Sequence, residues 1–222
     1  EFRLSLVGSE MCIRDRLIFN GDFKMNILIA CEYSGIVRDA FIARGHNAVS
    51  CDLLPSESDK GIHYQGNVLD LIKGDFNWDM MIGHPPCTHL AVSGARWFSE
   101  GKKPISLQKE ALGFVRLLMA SPIPKICIEN PVSVISSQIR KPEQIINPYQ
   151  FGHKEFKKTC LWLKGLPPLQ HTSDLLDETK KLPKSESNRI HYTPRTKDRG
   201  KVRSRFYQGF ADAMAEQWGG DR

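Results

Sequence analysis

The feature that most constrains the fold is a regular alternation, from residue 25 onward, of short apolar runs with amphipathic segments. Runs of strand length, and one shorter element of the same kind, occupy residues 26–31, 47–52, 63–68, 78–83, 125–129 and 160–163. Apolar residues at helical spacing follow Ser34, the expected N-cap of a first helix, and recur over 104–119 and 209–218. Because strands that alternate with helices form βαβ units, the sequence predicts an α/β fold: a mostly parallel sheet with helices on both faces.

The composition is that of an ordinary globular protein, with 41% hydrophobic and 25% charged residues in a chain of 222. No apolar run approaches the roughly 18 residues that a membrane-spanning helix needs, so no membrane association is predicted. The cysteines are far apart and several lie in apolar runs, which indicates buried thiols in a reducing cytoplasm and not a disulfide framework. They are Cys12, Cys31, Cys51, Cys87, Cys127 and Cys160.

Residues 1–24 differ from the rest of the chain. They carry no net charge, and charged residues interrupt their apolar part, which is unlike a secretory signal. The run 5–16 resembles translated sequencing-adaptor read-through, so we expect the native protein to begin at Met25, with a disordered natural extension as the alternative. The expected domain therefore covers 25–222, with a small basic insertion at about 164–205.

The positive charge of the chain is local. Residues 180–205 contain ten Lys or Arg side chains against Glu186 and Asp198, so this segment carries +8 and the rest of the chain −2 of the overall +6. A basic segment of this kind can pair with the phosphates of double-stranded DNA by releasing counterions. The alternative is a solvated, flexible tail.

Residues 31–35, followed about 20 residues later by Asp52, have the layout of a nucleoside-cofactor site. A tight turn at Ser34 and Gly35 lets a ligand approach the backbone, and a carboxylate that ends the second strand accepts hydrogen bonds from ribose hydroxyls. The extra glycines of a dinucleotide fingerprint are absent, which argues against a dinucleotide. An ordinary strand-to-helix turn with a surface Asp is the alternative.

Cys87 and Glu129 are candidates for covalent chemistry. Pro85 and Pro86 end a strand and would expose the Cys87 thiol at the edge of the sheet, while Glu129 ends the next strand in a half-buried position suited to proton delivery. Such a pair fits attack of sulfur on carbon 6 of a pyrimidine with the acid at nitrogen 3, which makes carbon 5 a nucleophile toward a methyl sulfonium. The alternatives are an inert Cys after a Pro-rich turn and a Glu that stabilises a helix N-terminus.

Pro85-Pro86-Cys87, followed 42 residues later by Glu129-Asn130 and preceded by the cofactor turn, resembles the cytosine-5 DNA methyltransferases, especially short phage-type members. The resemblance implies a Rossmann-like class I methyltransferase domain in a prokaryotic or phage-infected cell. It also implies methyl transfer from S-adenosylmethionine to carbon 5 of cytosine in DNA through a covalent Cys adduct.

The same resemblance assigns residue roles. Cys87 would be the nucleophile and Glu129 the acid. The substrate would contact Pro86, Asn130, Lys157 and Thr159. The cofactor would contact Tyr33, Ser34, Gly35, Asp52, Asn67, Val68 and Pro85.

The chain departs from the family pattern in ways that leave other functions open. Lys157 and Thr159 stand where arginines are expected, and the roughly 40 residues after Leu163 are too few for a full target-recognition domain. We therefore expect short or relaxed sequence specificity, with recognition by segment 180–205. The alternative functions are a non-catalytic DNA-binding descendant of the fold and an enzyme that modifies carbon 5 of free pyrimidine nucleotides, which would need a phosphate clamp. No metal site is predicted, because the histidines lack ligand spacing.

Overall fold

The computed structural model describes residues 25–194, 196–197 and 199–220, and the predictions for residues 1–24 and for Cys12 lie outside this range. Its strands are β1 (Asn26–Ala30), β2 (Asn47–Asp52), β3 (His63–Gln65), β4 (Met80–Gly83), β5 (Lys125–Pro131), β6 (Gln144–Ile146) and β7 (Thr159–Lys164). Its α-helices are α1 (Ile36–Ile42), α2 (Val68–Lys73), α3 (Ala95–Ser99), α4 (Ile105–Met119), α5 (Ile135–Gln138), α6 (Leu176–Lys181), α7 (Lys184–Ser187), α8 (Arg189–Tyr192), α9 (Arg199–Ser204) and α10 (Gln208–Gly219). Short 3-10 turns cover Cys87–His89, Val92–Gly94 and Pro148–Phe151.

All seven strands form one sheet in the order β3-β2-β1-β4-β5-β7-β6. The first five strands in that order are parallel, and β7 is antiparallel to both β5 and β6. The α/β prediction with a mostly parallel sheet is therefore confirmed, and the architecture is compatible with a Rossmann-like fold. The strand order reverses direction between β1 and β4, and in such sheets ligands bind outside the carboxyl ends at this point.

The two faces of the sheet each bury a hydrophobic core. On β1, Ile27 and Ile29 pack with α1 and α10 on one face, whereas Leu28 and Ala30 pack with α2 and α4 on the other. Successive side chains of a strand point to opposite faces, so a strand covered on both sides reads as a continuous apolar run. This arrangement confirms the prediction of helices on both faces.

Several element boundaries differ from the predictions. The first helix begins after Gly35, which is its N-cap with φ +75°, and Ser34 is not the cap. β3 ends at Gln65 because Asn67 turns the chain into α2, and β5 extends through Pro131, which pairs with Thr159. A Pro is tolerated there because it is the last residue of the strand.

Several short elements were not predicted: α2, α3, α5, β6 and the helices α6 to α9. β6 has only three residues, too few to produce a recognisable pattern, and the segment expected to be irregular at 164–205 contains the short helices α6 to α9. Each of these helices has at most six residues, so tertiary contacts and not helix propensity must hold it in place. Among the described residues, no helix has the length and apolar character needed to cross a membrane.

Candidate functional site

Cys87 lies just beyond the carboxyl end of β4, at the start of a 3-10 turn. Pro85 is buried, Pro86 is exposed and Cys87 is half-buried. The chain leaves the sheet at the two prolines, but the thiol is half-buried and not exposed as the sequence predicted. The Asn130 side-chain amide, at the end of β5, donates a hydrogen bond to the Pro85 carbonyl at 2.8 Å. Asn130 thereby fixes the position of the loop that bears the thiol.

Glu129 is only 9% exposed and lies at the end of β5, next to β4. His84 Nδ1 is 3.2 Å from Glu129 Oε2, and the His84 ring packs against Phe206 with 4.7 Å between ring centroids. Sequence reasoning did not single out His84, although it stands three residues before Cys87. The Glu129 carboxyl group is therefore paired with an imidazole that can either donate a hydrogen bond to it or accept one from it.

The pKa of the Cys87 thiol is raised, first by burial and then by the negative charge of Glu129. The positive charges of Lys157 and Arg203 lower it in part, so both cations act on the sulfur. At neutral pH the free protein accordingly holds Cys87 as a thiol. Nucleophilic attack requires that this proton be given up, and a further positive charge or loss of the negative charge nearby would favour that step.

Several buried polar atoms around Cys87 have no hydrogen-bond partner among the residues that the structure describes. They are His84 Nε2, His89 Nδ1, Asn130 Oδ1, Ser133 Oγ and Arg203 Nε. Buried polar atoms in folded proteins nearly always have partners, since an unmade hydrogen bond is costly. A concentration of such atoms around one loop indicates a place where a polar ligand completes the hydrogen bonding.

The turn after β1 is built differently. The Glu32 carboxylate is buried and accepts hydrogen bonds from the Val37 and Arg38 backbone amides at 2.7 and 3.2 Å, while Ser34 Oγ donates to it at 3.2 Å. Glu32 thus caps α1 with a negative charge that would repel a pyrophosphate. This agrees with the absence of dinucleotide glycines in the sequence. Cys31 has φ +60°, an unusual value for a residue other than Gly, so the backbone of this turn is strained.

A fully buried arginine organises the loop that follows β2. Arg38 bonds Asp39 Oδ1 at 2.9 Å, Ser50 Oγ at 3.0 Å and the Ser58 carbonyl at 3.1 Å. A Cβ on Gly35 would lie 2.7 Å from Arg38 Nη2, in addition to the positive φ, so only Gly fits there. Sequence reasoning missed Arg38, because a lone charged residue in an amphipathic helix is normally exposed.

The predicted cofactor residues divide into two groups. Tyr33, Ser34, Gly35 and Asp52 come together at the ends of β1 and β2, and Asp52 Oδ1 accepts from the Leu54 amide at 2.9 Å. Asn67 instead caps α2 by accepting from the Leu69 amide at 3.1 Å, and Val68 is buried in the core. The contacts of these last two residues are explained without a ligand.

The predicted substrate residues on β7 and before it also differ from one another. Lys157 Nζ donates to the Arg203 carbonyl at 3.3 Å and lies 5.4 Å from the centroid of the Tyr207 ring. Thr159 is buried, and its hydroxyl donates to the Lys157 carbonyl at 3.2 Å. Lys157 therefore faces the candidate site, while Thr159 supports the strand from inside.

Residues 199–206, hereafter the α9 strap, cross the candidate site from the β1 turn to His84. The Tyr33 hydroxyl donates to the Lys201 carbonyl at 2.9 Å, and Glu57 pairs with Lys201 at 2.7 Å and with Arg205 at 2.5 Å. These two cations lower the pKa of Glu57. Within the described residues, four of the ten basic side chains predicted to face DNA therefore pair with carboxylates of the protein, because Lys180 also pairs with Asp177 and Arg189 with Glu155.

A second basic and aromatic surface, not predicted from the sequence, lies close to the Cys87 loop. Trp97 is 38% exposed, and the Arg96 guanidinium and the Lys102 ammonium lie 4.7 and 5.1 Å from its ring centroid. A backbone hydrogen bond of 3.1 Å from Val92 to Val132 joins this segment to the end of β5. The signal in the sequence was the grouping of Arg96 with two aromatic residues, followed closely by Lys102 and Lys103.

Comparison with protein-family models and with curated protein sequences finds no match for this chain. Among residues 25–194, 196–197 and 199–220, no group of three His, Cys, Asp or Glu side chains is placed to hold a metal ion. Function must therefore be argued from the residues of the site and from the resemblance of its motifs.

Proposed function

We propose that the protein transfers a methyl group from S-adenosylmethionine to carbon 5 of cytosine in DNA, through a covalent adduct on Cys87, in the cytoplasm of a prokaryotic or phage-infected cell. The observation that supports this most is the placement of Cys87 and Glu129 at the ends of the neighbouring strands β4 and β5. Around them lie buried polar atoms whose hydrogen bonds a base could complete.

In the proposed reaction, the Cys87 thiol gives its proton to water and the thiolate forms a bond to carbon 6, while Glu129, protonated from the solvent, gives a proton to nitrogen 3. The electron pair of the carbon 5–carbon 6 double bond becomes available at carbon 5. S-adenosylmethionine, when bound, would supply the electrophilic methyl group that carbon 5 takes, with a neutral thioether as the leaving group. Loss of the carbon 5 proton to water then restores the double bond and expels Cys87 as thiolate, and the proton on nitrogen 3 returns to Glu129.

His84 and Asn130 would position the two reacting groups. The hydrogen bond from Asn130 to the Pro85 carbonyl fixes the Cys87 loop, and His84 holds one oxygen of Glu129. Such fixed geometry contributes to catalysis because the reacting atoms need not be brought together at each turnover. A cytosine in duplex DNA must also leave the base stack to reach a thiol beyond a sheet edge.

The turn after β1 fits a cofactor of this type. Asp52 uses Oδ1 for the Leu54 amide, which leaves the other carboxylate oxygen for a ribose hydroxyl. The Glu32 carboxylate places negative charge beside the turn, which suits a sulfonium or an amino group and not a phosphate. Tyr33 and Gly35 would contact the same ligand, beneath the α9 strap.

The DNA contact has support from the segment that bears Trp97. An exposed aromatic ring beside Arg96 combines stacking with phosphate attraction, as in many nucleic-acid surfaces, while the nearby Lys102 pairs with Glu100 at 2.7 Å. Several cations of segment 180–205 are paired within the protein. We therefore propose that the segment that bears Trp97 binds double-stranded DNA together with segment 180–205. Base recognition in so short a chain would remain relaxed.

The test is transfer of labelled methyl from S-adenosylmethionine to unmethylated double-stranded DNA by the full chain. We expect label in cytosine with the wild type and with the matched control Cys160→Ala, and a loss of about 10³-fold or more with Cys87→Ser. DNA binding of Cys87→Ser, measured by gel shift, should be retained. Transfer that survives Cys87→Ser, or no label with the wild type, would contradict the proposal.

A further inference from the structure

Lys157 and Arg203 differ from the ion-paired basic residues beside the site. Lys201 and Arg205 in the α9 strap pair with Glu57, and Arg189 pairs with Glu155. For Lys157 and Arg203, no ion pair with a carboxylate occurs among the described residues. These two cations therefore keep their positive charge available beside the site.

The two cations lie together and close to the thiol. Lys157 Nζ donates to the Arg203 backbone carbonyl at 3.3 Å, so the two residues are adjacent. Phe206, three residues after Arg203, packs against the His84 ring with 4.7 Å between ring centroids, so the α9 strap runs beside the Cys87 loop. In agreement with this position, both charges lower the pKa of Cys87. The Arg203 Nε is buried and has no partner within the described residues, although a guanidinium normally uses its donors.

An arginine with a free donor beside a lysine is a typical phosphate site. The planar guanidinium offers several N–H groups in a fork that matches two oxygens of one phosphate, and an ammonium adds a point charge. The neutral cytosine ring does not need two cations that are unpaired among the described residues, and the single carboxylate of the cofactor does not need both of them. A ligand with negative charge close to the reacting carbon does need them.

The conformation of a pyrimidine nucleotide determines where its negatively charged phosphate lies relative to the ring. In the anti conformation that pyrimidine nucleotides prefer, carbon 6 is the ring carbon nearest the 5′-phosphate. A thiol placed to attack carbon 6 therefore has the 5′-phosphate of the same nucleotide on its side of the ring. Cations adjacent to Cys87 are located where this phosphate would arrive.

We propose that Lys157 and Arg203 bind the 5′-phosphate of the nucleotide whose pyrimidine ring Cys87 attacks. The inference rests on the proposed attack of Cys87 on a pyrimidine, and it does not depend on methyl transfer as such. The phosphate can belong to a DNA strand or to a free nucleotide, since both present the same group.

The experiment measures protection of Cys87 in the full chain from alkylation by iodoacetamide, read on the Cys87 peptide by mass spectrometry. Three probes are compared: deoxycytidine, deoxycytidine 5′-monophosphate and a single-stranded oligonucleotide with one cytosine. We expect the monophosphate to protect at a concentration about tenfold lower than deoxycytidine does, as one charged hydrogen-bonded contact would produce. Equal protection by deoxycytidine and its monophosphate would overturn the proposal.

Arg203→Gln should remove this tenfold advantage of the phosphate, whereas Lys158→Gln, which removes an exposed charge next to Lys157, should keep it. Arg203→Gln should also shift the pH dependence of Cys87 alkylation upward, because a positive charge that lowers the thiol pKa is gone. A merely structural role would leave that pH dependence unchanged. If Arg203→Gln does not fold, the phosphate advantage and the pH dependence of Cys87 alkylation are measured in Lys157→Gln instead. Values equal to those of the wild type in both measurements would overturn the inference.

The probes separate the two sources of phosphate. Tighter protection by the oligonucleotide than by the monophosphate indicates a strand, and the reverse indicates a free nucleotide. The outcomes also separate this inference from the proposed function. Phosphate-dependent protection without methyl transfer would retain the phosphate site and reject the methyltransferase, while methyl transfer that is insensitive to Arg203→Gln would do the opposite.

Discussion

Two neighbouring regions at the same edge of the sheet differ in how their buried polar atoms are satisfied. At the ends of β1 and β2, Glu32 and Arg38 have their hydrogen bonds completed by the protein itself. At the ends of β4 and β5, a buried atom of His84 and one of Asn130 have no partner among the described residues. The same is true of Arg203 in the α9 strap beside them. A completed network stabilises the fold, whereas an incomplete one is retained where a ligand compensates for it.

This difference separates residues that serve stability from residues that serve chemistry. Substitutions in the completed region should lower the free energy of unfolding, and substitutions in the incomplete region should lower activity with a smaller effect on folding. The α9 strap joins the two regions, because Tyr33 holds its Lys201 carbonyl and Lys157 holds its Arg203 carbonyl.

Arg38→Met should lower the free energy of unfolding by about 3 kcal/mol, because it leaves the buried Ser50 hydroxyl and the partly buried Asp39 carboxylate and Ser58 carbonyl without their shared donor. Urea denaturation would measure this. The matched control is Arg44→Met, since Arg44 makes only a surface pair with Glu216 at 3.7 Å and should cost less than about 0.5 kcal/mol. Equal effects of the two substitutions would remove the distinction between the regions.

Asn130→Ala should reduce methyl transfer by about 10²-fold, because the Cys87 loop loses the hydrogen bond to the Pro85 carbonyl. The free energy of unfolding should fall by only about 1 kcal/mol. Ser121→Ala is the matched control, since Ser121 Oγ is also buried without a partner in the described residues but lies before β5, at the opposite end of the strand. Its methyl transfer should equal that of the wild type.

His84→Leu should reduce methyl transfer by about tenfold, which corresponds to about 1.4 kcal/mol, because Glu129 loses its partner. His84→Gln should recover part of the rate, since an amide can still donate to the carboxylate. Initial rates at saturating cofactor would compare the variants. If the Gln variant is as slow as the Leu variant, His84 acts by packing against Phe206 and not through Glu129.

Glu129→Gln should speed iodoacetamide alkylation of Cys87 about threefold at pH 8, because removal of a nearby negative charge lowers the thiol pKa and raises the thiolate fraction. In the wild type the raised pKa means that alkylation should keep increasing as pH rises beyond the range of an ordinary cysteine. Glu100→Gln, an exposed change on another loop, should have no effect. A slower reaction in Glu129→Gln would show that the carboxylate acts on Cys87 as a base and not as a repelling charge.

Much of the fold could be predicted from local patterns. The apolar runs located β1, β2, β4, β5 and β7, and the spacing after residue 104 located α4, since each segment is long enough for its periodicity to be recognised. β6 and the helices α6 to α9 could not be recognised, because elements of three to six residues are determined by the contacts they make. The reversed direction of β7 has no local signature.

For the candidate site, the sequence by itself determined which reactive groups follow which strands: Cys87 after β4 and Glu129 at the end of β5. It did so because parallel strands bring their carboxyl ends to one edge, whatever the details of packing. Only the tertiary structure decided which side chains surround them. His84 on Glu129, the buried Arg38 and the approach of Arg203 to Cys87 all depend on residues 12 to 116 positions apart, and such contacts leave no periodic trace in the chain.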